Sequence, residues 1–108
     1  MESAQRRTKS INNHQKIKVA IYGVNELGIQ YLSSIRLSPL FEVICLIDDS
    51  QDLLGRSISD IPIKSSENIK NIVEKIDRVV LADPNLDRSK LNDLAEILLP
   101  NSKKLYKL

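Results

Sequence analysis

Val19-Ala20-Ile21-Tyr22-Gly23-Val24-Asn25-Glu26-Leu27-Gly28 decides how this chain is read. An apolar strand runs into a glycine turn, and the turn opens a helix, which is the layout of a dinucleotide-binding fingerprint. Gly23 permits the sharp turn out of the strand, and Gly28 lets the helix approach the sheet with no side chain in between. Between them, where backbone must lie against a pyrophosphate, stands Asn25 instead of glycine. The free amides near Glu26 and Leu27 carry partial positive charge and attract phosphate. Asparagine is a favoured helix cap and tolerates left-handed geometry, so the turn can form without glycine while the phosphate seat narrows. Glu26 adds a negative charge that helps the helix and opposes an anion.

Working outward, Ile17 to Tyr22 is a nearly continuous apolar run of the kind that parallel sheets bury on both faces. Glu26 to Leu37 is predicted as a helix with an inner stripe of Gly28, Tyr31, Leu32 and Ile35, stopped at Ser38-Pro39. Glu42 to Asp48 is a second buried strand. Ile61-Pro62-Ile63 is expected as a short edge strand, because proline lacks the ladder donor. Ser65 or Ser66 caps a helix carrying Ile69, Ile72, Val73 and Ile76 on one face. Val79 to Ala82 is the next buried strand and Asp83-Pro84-Asn85 its turn. Leu91, Leu94, Ala95 and Leu98 mark a last helix ended by Pro100-Asn101, and Lys103 to Leu108 alternates as a final edge strand. Strand and helix alternate throughout. The expectation is an α/β, three-layer, Rossmann-like fold with a small doubly wound parallel sheet in strand order 3-2-1-4-5.

With 108 residues and 42% hydrophobic content, the chain fits one domain over residues 17–108 preceded by a basic flexible leader, residues 1–16. Arg6, Arg7, Lys9, Lys16 and Lys18 face Glu2 alone, so the remainder, with eleven basic and thirteen acidic residues, is slightly acidic. A solvated tail explains the leader, and contact with anionic lipid or nucleic acid is the competing reading. The apolar runs are too short to span a bilayer, so a soluble, cytoplasmic domain is expected. Cys45 has no partner for a disulfide or a metal, and metal ligands are not clustered. Aromatics are 4% of the chain, there is no Trp, and Tyr22, Tyr31 and Tyr106 are far apart, which leads to the expectation of no nucleic-acid partner.

Ligands of doubly wound sheets bind at the carboxyl ends of the strands, beside the switch point. Here that position gathers Gly23, Val24, Asn25, Glu26, Leu27 and Gly28 with Asp48, Asp49, Ala82, Asp83, Pro84 and Asn85. Asp48 lies 20 residues after Gly28, where an acidic residue bonds the ribose hydroxyls of NAD and repels a 2′-phosphate. The plainer reading is that Asp48 and Asp49 only open a polar loop. Asp83 and Asn85 either touch ligand or cap the helix expected to start at Pro84. His14 sits in the leader and Cys45 in a strand, and neither forms part of a catalytic set. A binding module without catalytic residues is expected.

Ile21-Tyr22-Gly23 with Glu26 and Gly28, Ser38-Pro39 before Val43, Leu46-Ile47-Asp48-Asp49, Leu54-Gly55, Ile58, Ile61-Pro62-Ile63 and Val79 to Pro84 form a series. In that series the chain resembles the nucleotide-binding domain of membrane-associated nucleoside-diphosphate-sugar epimerases and dehydratases of bacterial polysaccharide biosynthesis. Asn25 and Asp60 stand where that family has glycine. The resemblance implies a fragment that binds NAD or a nucleotide sugar, with the catalytic domain and membrane helices elsewhere in an inner-membrane parent. Similar phrases occur in sugar-binding domains of nucleotide-sugar acyltransferases and in glycosyl-phosphate transferases. The remaining alternative is a binding-dead structural domain that self-associates as a homodimer through the Lys103 to Leu108 edge or a helix face.

Overall fold

The computed structural model describes residues 16–108, so the leader, apart from Lys16, and His14 lie outside the described residues. The strands are β1 (Ile17–Tyr22), β2 (Phe41–Ile47), β3 (Ser57–Ile58), β4 (Ile61–Lys64), β5 (Arg78–Leu81) and β6 (Lys104–Lys107). They form one sheet in the order β3-β4-β2-β1-β5-β6. Except for the antiparallel β3–β4 hairpin, every pairing is parallel. With β3 set aside, this is the expected 3-2-1-4-5 order. The sheet is mixed rather than purely parallel because Ser59 and Asp60 fold β3 back onto β4.

The continuous apolar strands bury both faces, as their lack of alternation implied. Ala20, Tyr22, Cys45, Ile47, Val79 and Leu81 face one side, and Val19, Ile21, Leu46 and Val80 face the other. Helix α1 (Glu26–Ile35) covers the second side with Leu32 and Ile35. The first side is covered by the short α2 (Ile69–Ile72) and by α3 (Arg88–Leu98), through Ile69, Ile72, Leu94 and Leu98. Cys45 is fully buried in this core, and burial pushes its thiol up to about 11, which keeps it protonated and unreactive.

Several expected boundaries move. Helix α1 stops at Ile35, with Arg36 as its cap, two residues before Leu37. Strand β2 begins at Phe41 and ends at Ile47, so Asp48 lies just past it, its amide still donating to the Lys64 carbonyl of β4 at 3.0 Å. Strand β4 is not the edge, because β3 lies outside it. The expected helix over Ile69 to Ile76 is only one α-helical turn flanked by 3-10 turns, Ser66–Asn68 and Val73–Lys75. Ser65 occupies its cap position, but its hydroxyl accepts from the Asn68 side chain at 3.1 Å and not from a backbone amide, and Ser66 lies within the first 3-10 turn. The last helix starts at Arg88 and not at Pro84, and a 3-10 turn carries it on through Pro100 to Asn101. Proline fits there as an early residue of the new turn.

Candidate functional site

Gly23 leaves β1 with φ +124°, a conformation open to glycine and strained for other residues. A β-carbon there would also lie 3.1 Å from the carbonyl carbon of Ala82. At Gly28 a β-carbon would collide with the Gly23 carbonyl oxygen, so α1 seats directly on the turn. Both glycines are therefore steric requirements of the strand-turn-helix passage, independent of any ligand.

Asn25 is the N-cap of α1. Its Oδ1 accepts from the Gly28 amide at 2.8 Å, and its Nδ2 donates to the Ala82 carbonyl at 2.9 Å. Its φ of −142° is extended, so its tolerance of left-handed geometry is not used. The Glu26 and Leu27 amides have no acceptor among the described residues. The amide end of α1 is thus partly open and partly closed by its own cap.

Asp48 follows the last residue of β2 and turns back toward the glycine turn. Its Oδ2 accepts from the Val24 amide at 2.9 Å and its Oδ1 from the Ser50 amide at 2.9 Å. Partial burial pushes its pKa up, but the Ser50 and Val24 amides outweigh this and hold the carboxyl below the usual carboxylate range. Asp49 points the other way. Its Oδ1 accepts from the Ser66 amide at 2.8 Å, and its Oδ2 meets the Tyr22 hydroxyl at 3.1 Å and Lys90 Nζ at 3.2 Å. Burial opposes ionisation there too, yet Ser66 and Lys90 lower its pKa. Burial, and then the charge of Asp49, push the Tyr22 hydroxyl up to about 12. The phenol is a hydrogen-bond donor at neutral pH.

A crevice of about 380 Å³ opens at the carboxyl ends of the strands, between Tyr22, Asp48, Asp49 and Ser50 on one side and Asp83, Asn85, Leu86, Asp87 and Lys90 on the other. It unites Asp48, Asp49, Asp83 and Asn85 of the expected site. Gly23 to Gly28, Ala82 and Pro84 do not line it, although Val24 and Asp48 are hydrogen-bonded, as are Asn25 and Ala82. Asp83 does not cap a helix. It accepts from Asn85 in a local turn, while Asp87 caps α3 by accepting from the Lys90 amide at 2.8 Å. Tyr22, Asp87 and Lys90 were not legible as site residues. Tyr22 read as core, and Lys90 reaches the crevice only because α3 starts late. A second cavity of about 360 Å³, between Ser66, Glu67 and Lys70 and the α3 residues Asp93, Leu94, Glu96 and Ile97, shares Tyr22 and Lys90 with the crevice.

Residues 14–87, which include the strand, glycine turn and first helix, match a family model described as the CoA binding domain. The chain belongs to this family. No match is found among curated proteins. Among solved structures, this CoA binding domain is similar to UDP-D-quinovosamine 4-dehydrogenase from Vibrio fischeri, at 25% identity and a TM-score of 0.73, over 86% of this chain and 78% of that one. RSP, a Rex-family repressor, shares the fold at 18% identity in its complex with β-NAD+ and operator DNA, with a TM-score of 0.69 over 99% of this chain and 57% of that one. An engineered D-amino acid dehydrogenase bound to NADP+ shares it at 14% identity, with a TM-score of 0.69 over 85% of this chain and 27% of that one. The domain is of the Rossmann-like, nucleotide-binding type, and relatives of this fold hold NAD+ or NADP+.

The exclusion of nucleic acid drawn from composition is overturned by the operator-bound repressor. Scarce aromatic residues speak against stacking on single-stranded bases, whereas duplex DNA is held through its phosphates and groove edges, which need no aromatic side chain. Among the described residues no helix is long and apolar enough to cross a membrane.

Proposed function

We propose that this domain binds a nucleotide in the crevice, with the ribose on Asp48 and with NAD or a nucleotide sugar as the ligand class. The single observation behind this reading is the contact between Asp48 and the glycine turn, 2.9 Å from Oδ2 to the Val24 amide. It sets an ionised carboxylate beside the switch point between β1 and β5. Each oxygen of that carboxylate accepts one amide and keeps a lone pair for one hydroxyl of a vicinal diol. The ligand's phosphates would then run along Gly23 to Gly28 toward the Glu26 and Leu27 amides, with Ala82, Asp83 and Pro84 as the facing wall.

In this reading residues 17–108 are the nucleotide-binding part of a nucleoside-diphosphate-sugar dehydratase or epimerase of polysaccharide biosynthesis. Its catalytic groups belong to another domain, and its parent is anchored at the cytoplasmic side of the bacterial inner membrane through the segment before the basic leader. The likeness to the Vibrio fischeri dehydrogenase supports this assignment. Thermal-shift titration with NAD+, NADH and UDP-sugars tests it. Stabilisation by one of them, lost in Asp48→Ala, is expected, and no stabilisation at millimolar concentration overturns the reading. A second reading, a self-associating structural domain, is favoured by the Asn25 side chain lying across the helix amide end. A concentration-dependent dimer in sedimentation, indifferent to nucleotides, would support it.

A further inference from the structure

Resting on a nucleotide site in the crevice, we propose that this chain holds its ligand by the nucleoside end, that a diphosphate adds no affinity, and that Asn25 sets this selectivity. The groups that Asn25 uses belong to the place where a diphosphate sits in a glycine-rich turn. Its Oδ1 takes the Gly28 amide at 2.8 Å, and its Nδ2 takes the Ala82 carbonyl at 2.9 Å, on the facing wall. A phosphate oxygen seeking the Gly28 amide must displace a hydrogen bond already made within the chain. Displacing it also frees the Ala82 carbonyl, whose residue is fully buried.

The charges around the ligand point the same way. Among the described residues the crevice is lined by Asp48, Asp49, Asp83 and Asp87 against one cation, Lys90, and Lys90 is already 3.2 Å from Asp49. Glu26 stands in the first turn of α1, next to the remaining open amides. Asp48 and Asp49, both held below the usual carboxylate range, are ionised at neutral pH and leave the crevice negative. A diphosphate entering here gains one partly open helix end and faces several carboxylates.

These carboxylates do offer acceptors. Asp83 Oδ1 accepts from Asn85 and Asp87 Oδ1 from Lys90, and the Oδ2 of each has no donor among the described residues. Together with the spare lone pairs of Asp48, they suit a ligand rich in O–H and N–H donors, as a ribose diol and the exocyclic amine of a base are. A volume of about 380 Å³ lies within the range of small-molecule pockets and holds a nucleoside.

The test is calorimetric titration of the full chain with adenosine, AMP and ADP-ribose, and with uridine, UMP and UDP. We expect the nucleoside of at least one series to bind as tightly as its diphosphate. Asn25→Gly should then tighten the diphosphate roughly tenfold and leave the nucleoside unchanged. Asn25→Ala, which frees both the Gly28 amide and the Ala82 carbonyl, should shift the diphosphate in the same direction if the glycine variant does not fold. A diphosphate at least tenfold tighter than its nucleoside in the unaltered chain overturns the selectivity and leaves the nucleotide site standing. Binding by none of the six overturns the nucleotide site itself, and the selectivity with it.

Discussion

Asn25 Nδ2 donates to the carbonyl of Ala82 at 2.9 Å, so the turn after β1 is tied across the strand ends to the residue that follows β5. The same side chain caps α1 through Gly28. One amide group therefore does in this chain what a glycine backbone and a bound phosphate share in a dinucleotide site.

Replacing Asn25 by alanine removes the cap and leaves the Ala82 carbonyl unpaired. A loss of about 1 to 3 kcal/mol is expected, and urea unfolding measures it. Asn25→Asp keeps a capping oxygen but turns the donor into a second acceptor facing Ala82, so it should recover only part of the loss.

Gly28→Ala drives a β-carbon into the Gly23 carbonyl oxygen, and neither backbone can yield without lifting α1 from the sheet. The expected cost is at least about 1 to 3 kcal/mol, the usual range for overpacking. Gly55, unlike Gly28, is at positive φ, has open space around it and should resist alanine through backbone strain alone. An equal loss at both positions in denaturant titrations would contradict the steric account of Gly28.

Asp60 has φ +68° and Ser59 φ +52°, so the two central residues of the β3–β4 turn are both left-handed, as a type I′ hairpin demands. Asp60→Gly removes the steric cost at the second of them. It should raise stability by up to about 1 kcal/mol in thermal or urea unfolding. The resembled family carries glycine at this position, and the turn geometry is the physical reason.

Asp48 and Asp49 both have folded-state pKa values below the ordinary carboxylate value. A group shifted down stabilises the fold above its unfolded pKa, and that stabilisation is lost as pH falls through the folded pKa. Stability should therefore decline as pH drops below the ordinary Asp value of about 3.9. Asp48→Asn should flatten part of that decline while lowering stability at pH 7. The measurement is urea unfolding across pH 2.5 to 7, and an unchanged pH slope in this variant would remove Asp48 from the account.

Lys90 and Asp49 are both well exposed, with side-chain exposures of 45% and 39%. Lys90→Met should cost less than about 1 kcal/mol, an amount that salt screens. Asp49→Ala should cost more, because the Ser66 amide and the Tyr22 hydroxyl lose their acceptor together. A double-mutant cycle separates the ion pair from the rest.

The sequence by itself determined the strand order and the two packing glycines. Unalternating runs such as Val43 to Ile47 can only be buried on both faces, and right-handed crossovers then leave few topologies. It also placed Asp48 at a strand end. Tertiary structure decided what these residues touch. The late start of α3 at Arg88, after its cap Asp87, brought Lys90 into the crevice, and the alternation within β1 turned the Tyr22 hydroxyl onto Asp49. The long-range partner of Asn25, Ala82, lies 57 residues away, and no local pattern announces it. Backbone burial is set by composition along each strand, whereas a hydrogen bond across strand ends needs the sheet assembled, and that bond governs how much of the glycine turn is left open to a ligand.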